Sequence, residues 1–220
     1  HFEEVEKTEH YMLIGADKDG RVNEVKITPK IRNKAKADVY INVMVFNRQF
    51  LLNMVEDALT HGYSCFESDI IAKQLDSLKI YRYDFRGYYA GINSMASYYK
   101  HNMELLNREV RDELFGSRDI YTKVRDSAPS KYGAEVTVKN SLISNGCEIE
   151  GTVENSILFR GVTVAKGATV RNSIIMQDTI IGPNVSLDCV ITDKNVVIGD
   201  RRKLSGCEVL PYFIQKGTML

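Results

Sequence analysis

Asn140-Ser141-Leu142-Ile143, Asn155-Ser156-Ile157-Leu158 and Asn172-Ser173-Ile174-Ile175 repeat one tetrad, with a blurred fourth copy at Asp188-Cys189-Val190-Ile191. Their first positions stand 15, 17 and 16 residues apart. That period is too short for repeats built from helix pairs, and it matches one coil of a parallel β-helix made of about three hexapeptides. Gly-punctuated aliphatic hexads fill the space between tetrads, such as Val164-Ala165-Lys166-Gly167-Ala168-Thr169 and Ile181-Gly182-Pro183-Asn184-Val185-Ser186. Their aliphatics are expected to point inward and stack, so that stability comes from neighbouring coils rather than from any single one. The asparagines are assigned to coil corners, because this side chain tolerates left-handed backbone and satisfies local backbone groups. The terminal coil leaves strand edges that must be capped or paired, and oligomerisation is one way to do it.

Many hexapeptide solenoids carry acyltransferase chemistry, which typically needs a histidine base beside a cleft between coils. The four histidines here, His1, His10, His61 and His101, all precede the repeat. Acyl transfer is therefore set aside. Cys65, Cys147, Cys189 and Cys207 lie far apart with no Cys-x-x-Cys pair, as expected of a reduced, cytoplasmic protein. Cys147 and Cys189 fall on apolar rungs, where a cysteine acts as a small hydrophobe.

The whole chain has 220 residues, 44% of them apolar, enough for a real core in two modest domains. Lys plus Arg and Asp plus Glu balance at 29 each, so no net field draws the chain to nucleic acid or to an anionic membrane. No apolar run approaches the roughly 20 residues of a membrane helix. The chain starts at His1 in acidic polar sequence, without a signal-peptide pattern, and reads as part of something longer.

Upstream of the repeat, strands alternate with helices. Tyr11 to Ala16, the turn Asp17-Lys18-Asp19-Gly20 and Arg21 to Ile27 read as a hairpin closed by Thr28-Pro29. A basic loop, Lys30 to Lys36, leads to Asp38 to Phe46, which is rich in β-branched and aromatic residues and is expected to be an inner strand. Asn47 is placed to cap a helix over Arg48 to Leu59, whose Phe50, Leu51, Met54, Val55, Ala58 and Leu59 recur at helical spacing and are expected to pack on a sheet; His61-Gly62 stops it. Ser68 to Leu78 predicts a second helix, Lys79 to Phe85 a strand, and Ser94 to Leu106 a third helix. Residues 107–130 read as a linker with a short strand around Ile120-Tyr121. The expected domains are thus an α/β layer over 1–106, a linker over 107–130 and the solenoid over 131–220.

Local matches run along almost the whole chain: Gly87-Tyr88-Tyr89-Ala90-Gly91-Ile92-Asn93-Ser94, then Ser97-Tyr98 and Asn102-Met103-Glu104-Leu105-Leu106, Ser64 to Ile71, Glu154 to Phe159, and Gln177 to Gly182. By these segments the chain resembles the glucose-1-phosphate adenylyltransferases of bacterial glycogen synthesis. The resemblance implies the C-terminal part of a Rossmann-like nucleotidyltransferase domain followed by a left-handed parallel β-helix. In that family a sugar 1-phosphate attacks the α-phosphorus of a nucleoside triphosphate, and magnesium held by two aspartates neutralises the developing charge. One of those aspartates belongs to a Gly-aromatic-aromatic-x-Asp segment, and here its place is taken by Gly91. The family's Glu-Lys-Pro triplet, whose lysine grips the sugar phosphate, corresponds to Ile27-Thr28-Pro29, so Thr28 stands for the lysine; Glu24 and Lys26 share a strand face as a shifted substitute.

Two further motifs depart in the same direction. Tyr40-Ile41-Asn42 stands where the family reads Ser-Met-Gly, and Cys65 and Glu67 stand where it reads Asp and Gly, while Asp69 keeps its register. The resemblance leaves Ser64, Asp69 and Tyr88 as substrate-binding candidates, no catalytic or metal residue, and no cofactor bound by this chain, although the family reaction needs magnesium. The pattern is that of the D-type subunits, which keep the fold, lose catalytic residues and pair with a catalytic subunit. The expected partner is such a subunit, or further copies of this chain through the β-helix. An active nucleotidyltransferase with an atypical site is the alternative, and a binding or scaffold solenoid a third reading. Arg201, Arg202 and Lys203 near the solenoid end are an anion or effector candidate, set against a plain solvated basic turn.

Overall fold

The computed structural model describes residues 2–5, 12–27, 35–116, 120–123 and 126–220. It divides into two compact units, His1–Gly91 and Ile92–Leu220. The division differs from the expected one, because the third helix clusters with the solenoid rather than with the preceding strands. Among the described residues no helix is long and apolar enough to cross a membrane.

In the first unit β1 (Phe2–Val5) pairs antiparallel with β4 (Ala35–Asp38), and β2 (Met12–Ala16) pairs antiparallel with β3 (Val22–Ile27). The hairpin turn is made by Asp17, whose Oδ1 accepts from the Asp19 and Arg21 amides, and by Gly20 at φ 82°. This is the Asx-type turn that the Asp-Lys-Asp-Gly stretch predicts. Helix α1 (Arg48–His61) begins at Asn47, whose side chain accepts from the Gln49 and Phe50 amides, and ends at Gly62 in the left-handed region.

Four expectations fail in this unit. Asp38 to Phe46 is no inner strand: pairing stops at a bridge from Leu13 to Val39, and Asn42 at φ 58° breaks the extended run. Lys79 to Phe85 forms no strand, only a bridge from Tyr81 to Arg21 flanked by bonds from the Val22 amide to the Ile80 carbonyl and from the Arg82 amide to the Gly20 carbonyl. The expected second helix starts earlier, as a π-helix over Phe66–Ala72. Helix α1 buries Met54 alone, leaving Phe50, Leu51, Val55 and Leu59 exposed, because the described residues build only two two-stranded sheets and no broad face to cover them.

The second unit opens with α2 (Met95–Glu104), capped by Ser94 and Ser97 in a reciprocal capping box. Next comes α3 (Arg108–Phe115), capped by Asn107 and burying no residue. The expected linker thus contains a helix, because Asn107 supplies a cap at its start, and no strand forms at Ile120-Tyr121.

The solenoid follows as β5 (Lys131–Tyr132), β6 (Thr137–Lys139), β7 (Leu142–Ile143), β8 (Glu148–Ile149), β9 (Thr152–Glu154), β10 (Ile157–Leu158), β11 (Thr163–Val164), β12 (Thr169–Arg171), β13 (Ile174–Ile175), β14 (Ile180–Ile181), β15 (Ser186–Asp188), β16 (Val190–Thr192), β17 (Val197–Ile198), β18 (Lys203–Ser205) and β19 (Tyr212–Ile214). Every third strand pairs in parallel, giving three five-stranded sheets: β17-β14-β11-β8-β5, β18-β15-β12-β9-β6 and β19-β16-β13-β10-β7. Inside, Ile149, Val164, Ile181 and Ile198 form one column, Val153, Val170 and Leu187 a second, and Leu158 and Ile175 a third, all at 1% exposure or less. Each such side chain contributes about 1.5–3 kcal/mol by leaving water.

Corners carry the left-handed residues that the turns require. Asn140, Asn155, Asn172 and Cys189 stack at one corner with φ between 41° and 52°. The fourth copy of the tetrad is therefore displaced by one residue. Ile174 pairs with Ile191, so Cys189 rather than Asp188 takes the asparagine position, and that coil is 17 residues long like the one before it. The asparagine amides also form a ladder. Asn140 Nδ2 donates to Asn155 Oδ1 at 2.8 Å, Asn155 Nδ2 to Asn172 Oδ1 at 3.5 Å, and Asn172 Nδ2 to Asp188 Oδ1 at 2.8 Å. Beside it the serine hydroxyls accept from the next coil, Ser156 N to Ser141 Oγ, Ser173 N to Ser156 Oγ and Val190 N to Ser173 Oγ, all within 3.2 Å.

Both aliphatics of the tetrad are needed because the strand they form is covered on both faces. The second points into the solenoid. The first, Ile174 in β13 and Ile191 in β16, packs outward against Tyr99 of α2, with Tyr98, Met103, Phe159 and Cys189 around it.

Candidate functional site

In the first unit the residues singled out by sequence are largely committed to local structure. Asp69 Oδ2 accepts from the Ser64 amide at 3.2 Å and the Cys65 amide at 3.1 Å, and Oδ1 binds Lys73 Nζ at 2.9 Å. The Lys73 bond, then those from Cys65 and Ser64, hold its carboxyl below the usual carboxylate range. Asp69, inside the π-helix, thus ties Ser64 and Cys65 back onto the helix start. Tyr88 is partly buried in the irregular stretch that leads to Gly91.

Gly91 presents no side-chain donor to a cation, and a Cβ there would come within 3.1 Å of the Tyr89 hydroxyl. The residue present does not fit a magnesium ligand. Among the described residues no group of three or more His, Cys, Asp or Glu side chains is arranged to hold a metal ion. Thr28 lies outside the described residues. Lys26 Nζ sits 2.8 Å from Glu24 Oε1, so these two share a face of β3 as the period-two geometry requires, and the lysine is engaged by the glutamate.

The altered positions at 40, 42, 65 and 67 contact one another in pairs. Tyr40 donates to Asn42 Oδ1 at 3.2 Å, and Cys65 Sγ donates to Glu67 Oε2 at 3.5 Å. Asn42 occupies the left-handed region, the backbone conformation for which glycine is the default and asparagine the commonest replacement.

In the second unit Arg201 stacks on Asn184 at a corner, with φ 57° at both, and its Nε lies 3.0 Å from Asp200 Oδ2. Arg201, Arg202 and Lys203 are all exposed. Sequence reasoning missed the helix docking. Tyr99 donates to the Asn172 carbonyl at 2.7 Å and to Cys189 Sγ at 3.6 Å. The signal for it was the doubled aliphatic of the tetrad, which a solvent-facing strand would not keep. Also missed was an alternating column of charge on the sheet of β6, β9, β12 and β15, running Lys139, Glu154, Arg171, Asp188. Glu154 pairs with Arg171 at 2.9 Å and Lys139 at 3.7 Å.

Residues 126–206 match a family model described as GlmU-like, C-terminal hexapeptide. The glycogen biosynthesis protein GlgD of Bacillus subtilis is 40% identical over 180 residues, covering 81% of this chain and 52% of the relative. GlgD of Geobacillus stearothermophilus is 44% identical over 191 residues, 86% of this chain and 54% of the relative. The glucose-1-phosphate adenylyltransferase of Fervidobacterium nodosum is 30% identical over 209 residues, 93% of this chain and 48% of the relative. The chain is thus similar, over most of its own length, to GlgD proteins and glucose-1-phosphate adenylyltransferases. It spans about half the length of the curated relatives it matches. Within the chain the parallel solenoid carries the dense core, while the altered motifs lie in the first unit.

Proposed function

We infer that this chain is part of a noncatalytic, regulatory subunit of glucose-1-phosphate adenylyltransferase, acting in glycogen biosynthesis in the cytoplasm. The reaction it serves converts ATP and glucose 1-phosphate to ADP-glucose and pyrophosphate. The observation that carries this reading is Gly91, which puts hydrogen where the family motif needs a carboxylate for magnesium, beside a Tyr89 hydroxyl that already crowds the position. Without that ligand the charge that builds on the phosphates loses a fixed counter-charge, and positioning alone does not replace it. The relatives named GlgD support the same assignment.

In this reading the solenoid serves assembly with a catalytic subunit. Strand β17 is capped by residues 218–220, which pair with it in parallel, whereas β18 and β19 end their sheets, and unpaired edges favour partners. The placement of Glu24 and Lys26 on one face of β3 is what the second reading, an active enzyme with a shifted sugar-phosphate grip, would use, and their mutual ion pair weighs against it. The deciding experiment measures pyrophosphate release by the full-length protein with magnesium, ATP and glucose 1-phosphate, alone and mixed with a catalytic homologue. Background release alone, with altered kinetics in a mixed oligomer, is expected. Robust turnover by the protein alone would sink the regulatory reading.

A further inference from the structure

Lys139, Glu154, Arg171 and Asp188 occupy the same register position on the neighbouring strands β6, β9, β12 and β15. The residues before them, Val153, Val170 and Leu187 among them, point into the core, so these four side chains point out. Two residues earlier, Thr137, Thr152, Thr169 and Ser186 form a second outward column of short hydroxyls. The face therefore carries a low hydroxyl column beside a row of charge that reads plus, minus, plus, minus at a strand spacing of about 4.8 Å.

Within the chain the row is only partly used. Glu154 pairs with Arg171 and Lys139, and Asp188 Oδ1 accepts from Asn172. The cations keep much of their surface, 71% for Lys139 and 54% for Arg171 against 26% for Glu154, so each has donors left for a second carboxylate. An even, strictly alternating row also matches itself when reversed. Turned end for end about a two-fold axis in the plane of the face, it sets Lys139 over Asp188 and Glu154 over Arg171, and each match occurs twice. The hydroxyl columns then fall on one another, where their short side chains let the faces approach. Two copies related by a two-fold along the solenoid axis instead set charge over hydroxyls, and the match is lost.

We propose that this face docks a second copy of the chain with the solenoid axes antiparallel. The occupant is a second copy because the match is a property of the row with itself, the self-complementarity that an isologous two-fold interface requires. The other two sheets do not offer it. One is covered by Tyr99 of α2, and the outward column of the other has charge only at its Lys131 and Glu148 end, opposite Ile180 and Val197. Each exposed ion pair contributes little, and a face three residues wide is smaller than an interface that holds alone. The contact therefore sets orientation more than strength, and it is sensitive to salt. It extends the assembly role given to the solenoid above by naming the face, the partner and the direction.

The test is sedimentation equilibrium of the full-length protein at about 0.1 M and about 1 M salt. Wild type is compared with Lys139→Glu and with the swap Lys139→Glu, Asp188→Lys. The single variant faces carboxylate with carboxylate at both ends of the row and should weaken self-association about tenfold at the lower salt. The swap restores opposite charges between copies and should recover wild-type association to within about threefold. Inside one chain the swap does the reverse, setting a glutamate beside Glu154 and a lysine beside Arg171, so a purely internal role makes it worse than the single variant. The inner swap Glu154→Arg, Arg171→Glu draws the same distinction should the outer one fail to fold, and it should associate as wild type does. At the higher salt the differences should vanish. A wild type that stays monomeric at the lower salt, association only on adding a catalytic homologue, an unweakened Lys139→Glu variant, or a folded swap weaker than the single variant would overturn the proposal. Pyrophosphate release decides the subunit reading whatever the outcome here, so the two fail separately.

Discussion

The hydroxyl of Tyr99 lies 2.7 Å from the carbonyl oxygen of Asn172, joining the middle of α2 to a left-handed corner of the solenoid. The same ring covers Ile174 and Ile191, the outward aliphatics of two consecutive coils. A helix that sequence reading assigns to the preceding layer is in this way built into the solenoid. Tyr99→Phe keeps the ring and strands one buried carbonyl, so it should cost about 1–3 kcal/mol. Tyr99→Ala also empties the space over both isoleucines and should cost about 3–5 kcal/mol. Urea denaturation of the two variants checks both values. Equal, negligible losses would mean that α2 adds nothing to the solenoid.

Tyr99 also gives the fold an alkaline limit. Burial, then its bond to Cys189, raise its phenol well above the ordinary value of about 10. A raised pKa in the folded state means stability that is complete below the unfolded value and lost as pH climbs toward the folded one. Stability should therefore fall from about pH 10 upward, and Tyr99→Phe should flatten that decline. A denaturation series from neutral to alkaline pH shows whether the two curves converge.

Ser173 is wholly buried and serves two coils at once, donating to the Arg171 carbonyl and accepting from the Val190 amide. Ser173→Ala leaves that amide without its acceptor and should cost about 1–3 kcal/mol. Ser141→Ala, at the partly buried start of the ladder, should cost less. Thermal melts of both variants test the order.

At Asn172 the backbone conformation, more than the side chain, sets the requirement. With φ 46°, Asn172→Ala should destabilise by about 1–2 kcal/mol, while Asn172→Gly relieves the strain and loses only the amide ladder. A glycine variant as destabilised as the alanine variant would place the ladder above the corner in importance.

On the acid side, Arg171 first and Lys139 after it hold Glu154 below the usual carboxylate range. A depressed pKa stabilises above the unfolded value, near 4.5, and that support fades as pH falls through the folded one. Glu154→Gln should therefore show a shallower loss of stability on acidification than the wild type. Chemical denaturation across that acid range measures it.

The sequence by itself determined the solenoid. A tetrad recurring at the length of one coil admits few other folds, and asparagine at a fixed place in it marks corners wherever left-handed backbone is needed. Local caps were legible for the same reason: Asn47 and Gly62 act through neighbours only a few residues away. What depended on contacts distant in sequence was not legible. The one-residue shift that puts Cys189 in a corner is set by pairing with the coil below, not by the look of Asp188. The expected strands at Asp38 to Phe46 and Lys79 to Phe85 failed because alternation describes a strand only if a partner is there to pair with it. Tyr99 over Ile174 and Ile191 was decided only by tertiary structure. A periodic pattern states that a face is apolar, and only the folded chain brings up the residue that covers it.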